Sequence, residues 1–125
     1  MSIIADNTVL VHIHSGLESK NKVTLGLLVA LEAEKNDHKV TLFLAGDGVH
    51  ILSCKKAGEI VGEGTGDLYE HLENLKNSKV SIYVSGISAK SRGYDEKLLK
   101  GYNAEFAMPD ILVDESIKAD CVLCY

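Results

Sequence analysis

Along the chain, short apolar runs alternate with stripes of apolar residues at helical spacing. Asn7 to His14, NTVLVHIH, is β-rich and apolar and reads as a buried strand. Val23, Leu27, Ala30 and Leu31 then recur inside KVTLGLLVALEAEK at the interval of a helix face. Ser19 or Asn21 is placed to cap that helix, and Asn36 with Asp37 ends it. His38 to Leu44, HKVTLFL, is a second strand. After Gly46-Asp47-Gly48 the pattern predicts a short helix from Val49 to about Ala57. Asp47 stands at its N-cap position, Lys55 and Lys56 in its last turn, and Gly58 at its stop.

Gly62, Gly64 and Gly66 predict a mobile loop. Asp67 and Glu70 have the spacing of a capping box, opening a helix whose inner face carries Leu68, Leu72 and Leu75. Lys79 to Val84, KVSIYV, is a third strand, and Asp95 to Leu99 suggests a helical turn. Asn103 to Phe106 reads as a short strand. Pro109 suits the first turn of a final helix, with Ile111, Val113 and Ile117 as its apolar side, and Cys121 to Tyr125 closes the chain as a strand.

Parallel strands need long crossovers, usually helical, and right-handed crossovers cover both faces of a sheet. The expected architecture is therefore one α/β domain over residues 1–125. It should have three layers, α/β/α, around a mainly parallel sheet of about five strands. Ligands of such sheets bind beyond the carboxyl ends of the strands. That rule gathers three loops: His14-Ser15-Gly16, Gly46-Asp47-Gly48 and Ser85-Gly86.

Charge narrows the function. A net charge of −5 argues against phosphate-backbone binding, so no nucleic-acid partner is expected. No apolar run approaches the ~20 residues of a membrane span. The first residues, MSIIADNTVLVHIH, lack the basic start and small-residue cleavage site of a signal peptide. Together with three cysteines, an odd number, this leads us to expect a reducing cytoplasm and unbridged thiols.

The candidate chemistry lies in the gathered loops. Ser85 ends a strand, either as a reactive or anion-binding hydroxyl or as a cap for the next turn; the G-x-S-x-G elbow of a nucleophilic serine is absent. His12 and His14 share a sheet face, but a metal needs further ligands that have no obvious place, so no metal and no cofactor is expected. His14, at the strand end, is the better pocket donor or base. Asp47 is either a ligand contact or a cap. Arg92, the only arginine, either pairs with an anion or is solvated. Turns at Ser15-Gly16 and Ser85-Gly86 would expose N–H groups that suit anions. Gly48 completes the set. Cys121 and Cys124, three apart on a strand, face opposite sides and read as core residues. Cys54 lies in the short second helix, exposed and reactive or half-buried and inert.

Three segments also carry a resemblance. LFLAGDGVHILSCKKAG, VSIYVSGISAKSRGY and MPDILVDESIKADCVLCY resemble, in order, the second strand with its loop and helix, the third-strand loop, and the closing helix and strand of the DsrE/DsrF/TusD-like superfamily. The resemblance implies the same three-layer fold, homo-oligomers (trimers or hexamers), and sulfur relay in the cytoplasm as a cysteine persulfide passed to partner proteins. It places the carrier cysteine eight residues before the glycine of the Arg-Gly pair, and eight before Gly93 is Ser85. A hydroxyl has neither the acidity nor the polarisability to hold sulfane sulfur. The expected function is thus a DsrE-like protein that binds a small anionic ligand or a partner at the strand ends. One alternative is a sulfurtransferase-like carrier using Cys54 or a C-terminal cysteine, and another is an assembly subunit without chemistry.

Overall fold

The computed structural model describes residues 7–53, 55 and 57–125. In chain order the elements are β1 (Thr8–Ile13), α1 (Lys20–Lys35), β2 (Lys39–Leu44), two 3₁₀ segments (Gly46–Ser53 and Ala57–Glu59), a hairpin of β3 (Val61–Gly62) and β4 (Gly66–Asp67), α2 (Leu68–Lys76), β5 (Ser81–Ser85), α3 (Gly86–Ser91), a further 3₁₀ turn (Glu96–Leu99), β6 (Ala104–Ala107), α4 (Pro109–Lys118) and β7 (Cys121–Cys124). The main sheet has five strands in the order β6-β5-β2-β1-β7, with every neighbouring pair parallel. This is the three-layer α/β domain the sequence pattern predicts.

The order fixes the layers. From β1 through β2 and β5 to β6 the chain steps in one direction across the sheet. It then returns past all of them to place β7 beside β1. Crossovers of one hand that reverse direction must change face. Accordingly α1, α2, α3 and the 3₁₀ segments cover one face, where Val11, Leu42 and Val84 meet Leu27, Leu68 and Ala89. Helix α4 lies on the other, over Leu10, Phe43 and Ala107.

Local signals explain the element ends. Asp67 caps α2, its Oδ1 accepting the N–H groups of Tyr69 (2.7 Å) and Glu70 (3.3 Å). Ser19 precedes α1 but makes no side-chain cap, and Asn21 instead accepts the Glu63 N–H at 2.8 Å. The glycine-rich stretch expected to be mobile is a hairpin pinned to its surroundings. Thr65 bonds to Thr24 hydroxyl to hydroxyl at 2.7 Å, and the Thr65 carbonyl bonds to the His71 ring at 2.7 Å. The helix expected over Val49–Ala57 is instead 3₁₀ over Gly46–Ser53, with a second 3₁₀ turn at Ala57–Glu59; Cys54 and Lys56, which that helix would include, lie outside the described residues.

Two further expectations change. On α4 it is Ile111 and Leu112 that meet the sheet, while Val113 and Ile117 stay exposed. Cys121 and Cys124 are not core residues, because β7 is an edge strand and both thiols are exposed and unbridged. They do face opposite sides, as the alternation requires: Cys121 is in register with Val9 and Cys124 with His12. Among the described residues no helix is long and apolar enough to cross a membrane.

Candidate functional site

The carboxyl ends of β1, β2 and β5 meet as the topology demands. Gly48 packs so closely under β1 that a Cβ there would lie 2.4 Å from the Ile13 carbonyl oxygen. A Cβ on Gly16 would lie 2.8 Å from Asp47 Cβ. Gly48 has no room for a side chain because the β2 loop lies against the β1 backbone, and Gly16 has none because Glu18 Oε2 (2.6 Å) and Asp47 fill the space. Gly46 has φ +55, a left-handed turn, and its N–H donates to Ser88 Oγ at 2.9 Å, tying the β2 loop to α3.

Ser85 is the last residue of β5 and the N-cap of α3. It is 8% exposed, and its Oγ accepts the Ser88 N–H at 3.2 Å. Gly86 opens α3 and faces the end of β6, with Met108 Sδ 3.9 Å from where its Cβ would be.

Asp47 does not cap a helix. Its Oδ1 accepts from Arg92 through both Nη2 (2.9 Å) and Nε (3.2 Å). The Arg92 Nη1 donates to the Ser88 carbonyl (3.1 Å) and to Ser91 Oγ (3.2 Å). One guanidinium thus bolts the β2 loop to α3, the use for which arginine's planar fork is suited. The Gly16 N–H is likewise occupied, by Glu18 Oε1 at 3.2 Å. Ser15 beside it is half-buried.

His14 departs from this cluster. Its ring stands 5.4 Å from that of His12, on the α4 side of the sheet, and His12 in turn meets Phe43 edge-on at 5.8 Å. Burial, with the nearby His14 charge as the smaller cause, lowers the His12 pKa from its ordinary value. Among the described residues no three His, Cys, Asp or Glu side chains lie together as ligands of one metal ion. Cys54 lies outside the described residues.

A second arrangement beside these loops has no counterpart in the sequence reading. Leu17 after β1, His50 and Ser53 after β2, and Tyr94 after β5 line a cleft of about 530 Å³, together with Lys55, Glu59 and Ile60. The polar groups form a closed circle whose protons can be counted. Ser53 Oγ–H donates to the His50 carbonyl at 2.8 Å. With that proton committed, the 2.9 Å contact between Ser53 Oγ and Tyr94 Oη needs the tyrosine as donor. With the phenol proton committed, the bond between Tyr94 Oη and His50 Nδ1 needs the imidazole as donor. The neutral His50 is therefore the Nδ1–H tautomer, and Nε2 carries a lone pair. The available signal was His50 and Ser53 at i and i+3, which eclipse in a 3₁₀ helix but drift apart at the α-helical period.

Comparison with known proteins adds the lineage. No curated protein sequence matches the chain. Among solved structures, a crystal structure of the ychN protein from E. coli superposes with a TM-score of 0.71 at 18% sequence identity, covering 98% of this chain and 100% of that one. At that identity the likeness shows the fold. The profile of the DsrE/DsrF-like family matches residues 8–124, nearly the whole chain, and the chain belongs to the DsrE/DsrF-like family.

Proposed function

We propose that this protein uses the crevice at the carboxyl ends of β1, β2 and β5 for recognition of a small anionic ligand or a partner protein, and that it does not carry sulfur there. The observation that carries the reading is Ser85: an oxygen at the strand end, nearly buried, with its lone pair holding the first turn of α3. The resemblance carried by the sequence implies a carrier thiol at this position, and a hydroxyl cannot accept sulfane sulfur. The anion preference is supported by the contacts these strand-end loops already make. The Asp47 carboxylate sits on Arg92 and the Glu18 carboxylate on the Gly16 N–H, so both anion-binding groups have internal stand-ins that a ligand or an acidic partner segment would displace. Ser15, Gly48 and Gly86 belong to the same strand-end loops and would contribute shape rather than charge, while His14 stands apart, beside His12. The expected setting is the cytoplasm.

The test is incubation with limiting inorganic polysulfide, followed by peptide mass mapping of every cysteine. In the wild-type chain sulfur should be taken up only slowly, at the exposed thiols of Cys121 and Cys124, while in Ser85→Cys the new thiol should gain one sulfur atom ahead of them. Gain of one sulfur atom by the wild type, lost on Cys54→Ala, overturns the reading in favour of a carrier. In parallel, a ligand that binds the folded state should raise the melting temperature. No shift across a panel of metabolite anions, with partner binding indifferent to Ser85→Ala, removes the recognition role.

A second reading, assembly into homo-oligomers, is favoured by the exposed side of α4. Val113 and Ile117 are one helical turn apart and 56% and 77% exposed, with Met108 (52%) before them and Val122 (41%) on the neighbouring edge strand. Apolar surface of this kind usually finds a partner. Light scattering should report a trimer or hexamer that dissociates on Ile117→Lys; a wild-type monomer at high concentration removes this reading.

A further inference from the structure

We propose that the cleft beside Tyr94 is a separate small-molecule site for a zwitterion of the apolar α-amino-acid type. Its position obeys the rule for open α/β sheets, since its walls come from the segments that follow β1, β2 and β5. Its size, about 530 Å³, is that of an ordinary ligand pocket, and Leu17 and Ile60 give it an apolar wall.

The polar groups define what the cleft accepts. The circle of His50, Tyr94 and Ser53 satisfies its own members and leaves one unused function, the His50 Nε2 lone pair, which has no partner among the described residues. A pre-oriented acceptor with its tautomer fixed selects a ligand with an N–H or O–H donor, because no rotation or proton shift is needed on binding. The rim carries opposite charges. Lys55 and Glu59 both line the cleft, and neither forms an ion pair with the other or with another described residue. A plain amine would gain Glu59 and meet Lys55 as a like charge, and a plain carboxylate the reverse. A molecule carrying both charges meets both rims, its ammonium donating to His50 Nε2 and its side chain lying against Leu17 and Ile60.

None of these residues belongs to the crevice around Ser85, so the two sites are separable by mutation. The experiment is titration of the full chain with leucine, followed by NMR chemical shifts. 3-Methylbutylamine and 4-methylpentanoate, which each keep one of the two charged groups, serve as comparison ligands. Leucine should perturb residues around Tyr94, and each comparison ligand should bind at least about tenfold more weakly, roughly 1.4 kcal/mol. Tyr94→Phe keeps the ring and opens the circle, so the His50 ring nitrogens should lose the Nδ1–H signature and leucine should bind about tenfold more weakly. Ser85→Ala should leave leucine binding unchanged. The proposal is overturned if leucine perturbs nothing near Tyr94, if either one-charge analogue binds as well as leucine, or if folded Tyr94→Phe and His50→Gln variants bind leucine like the wild type.

Discussion

The two faces of the sheet are built to different depths. On one, α1, α2, α3 and the 3₁₀ segments bury a continuous core that includes Val11, Leu27, Leu42, Leu68 and Val84, each at 0% exposure. On the other, α4 is the one helix among the described residues, and the buried cluster there is Leu10, Phe43 and Ala107. The well-covered face is also where the chain makes its bolts and circles: Asp47 to Arg92, Gly46 to Ser88, His50 to Tyr94. The thin face keeps a half-buried imidazole, an exposed thiol at Cys124 and uncovered aliphatic side chains on α4. One face specifies the fold and holds the strand-end loops in place, and the other has surface to spare.

The largest expected effect tests this contrast with a single chemistry. Leu27 is 0% exposed under α1 and Leu10 is 1% exposed under α4. Leu→Ala in a core costs about 2–5 kcal/mol, and the spread reflects how well the site collapses around the lost atoms. Leu27 is enclosed by helix and sheet and should fall in the upper half of that range. Leu10 lies under a helix held by half-exposed Ile111 and Leu112, which can settle, and should fall in the lower half. Urea denaturation of both variants gives the numbers. Equal costs, with the Leu10→Ala value rising with protein concentration, would mean that another molecule closes the thin face.

A smaller effect is expected at the bolt. Arg92 and Asp47 are 28% and 56% exposed, so solvent screens much of their attraction. Arg92→Ala should lower stability by about 1 kcal/mol or less. Its consequence is local, since hydrogen exchange should quicken at Gly46 and in α3, whose contacts the guanidinium holds, and not in α1. Uniform exchange across the sheet would show that the bolt is not what ties these loops.

What was legible in the sequence follows the same division. The parallel sheet was readable because buried strands and helix stripes leave period signals, and the convergence of the three loops followed from topology alone. The cap at Ser85 was one of the two uses that a serine after a strand and before small residues left open. The 3₁₀ path from Gly46 was not, because Val49, Ile51 and Leu52 are buried in a segment too short for the periods to be told apart. The circle of His50, Ser53 and Tyr94 was hidden for that reason, and because its third member is 41 residues from Ser53. The pairing of Asp47 with Arg92 spans 45 residues and competed with a local cap, the commoner use of an aspartate after a strand. The exposure of Cys121 was not legible because an apolar strand reads as interior until its neighbours are known, and among the described residues β7 has one, β1.

The smallest effect concerns His12, on the thin face in register with Phe43 and Cys124. Its Nε2 is buried without a partner among the described residues, and burial first, then the His14 charge, lowers its pKa below the ordinary 6.5. The sign follows from proton counting. Below the unfolded value the unfolded chain takes up a proton that the folded chain still refuses, so stability falls as pH drops through that interval and levels off below the folded pKa. Between about pH 7.5 and about pH 5 the wild type should therefore lose more stability than His12→Gln. His14→Gln, which removes the second cause and leaves the burial, should fall between the two. The dependence also reports on coverage. If a second molecule packs on this face, His12 is buried more deeply, its pKa moves further down, and the acid loss grows with protein concentration. A wild type and a His12→Gln variant that lose stability in parallel would show that protonating this imidazole costs the fold nothing, and that the thin face is open to water at His12.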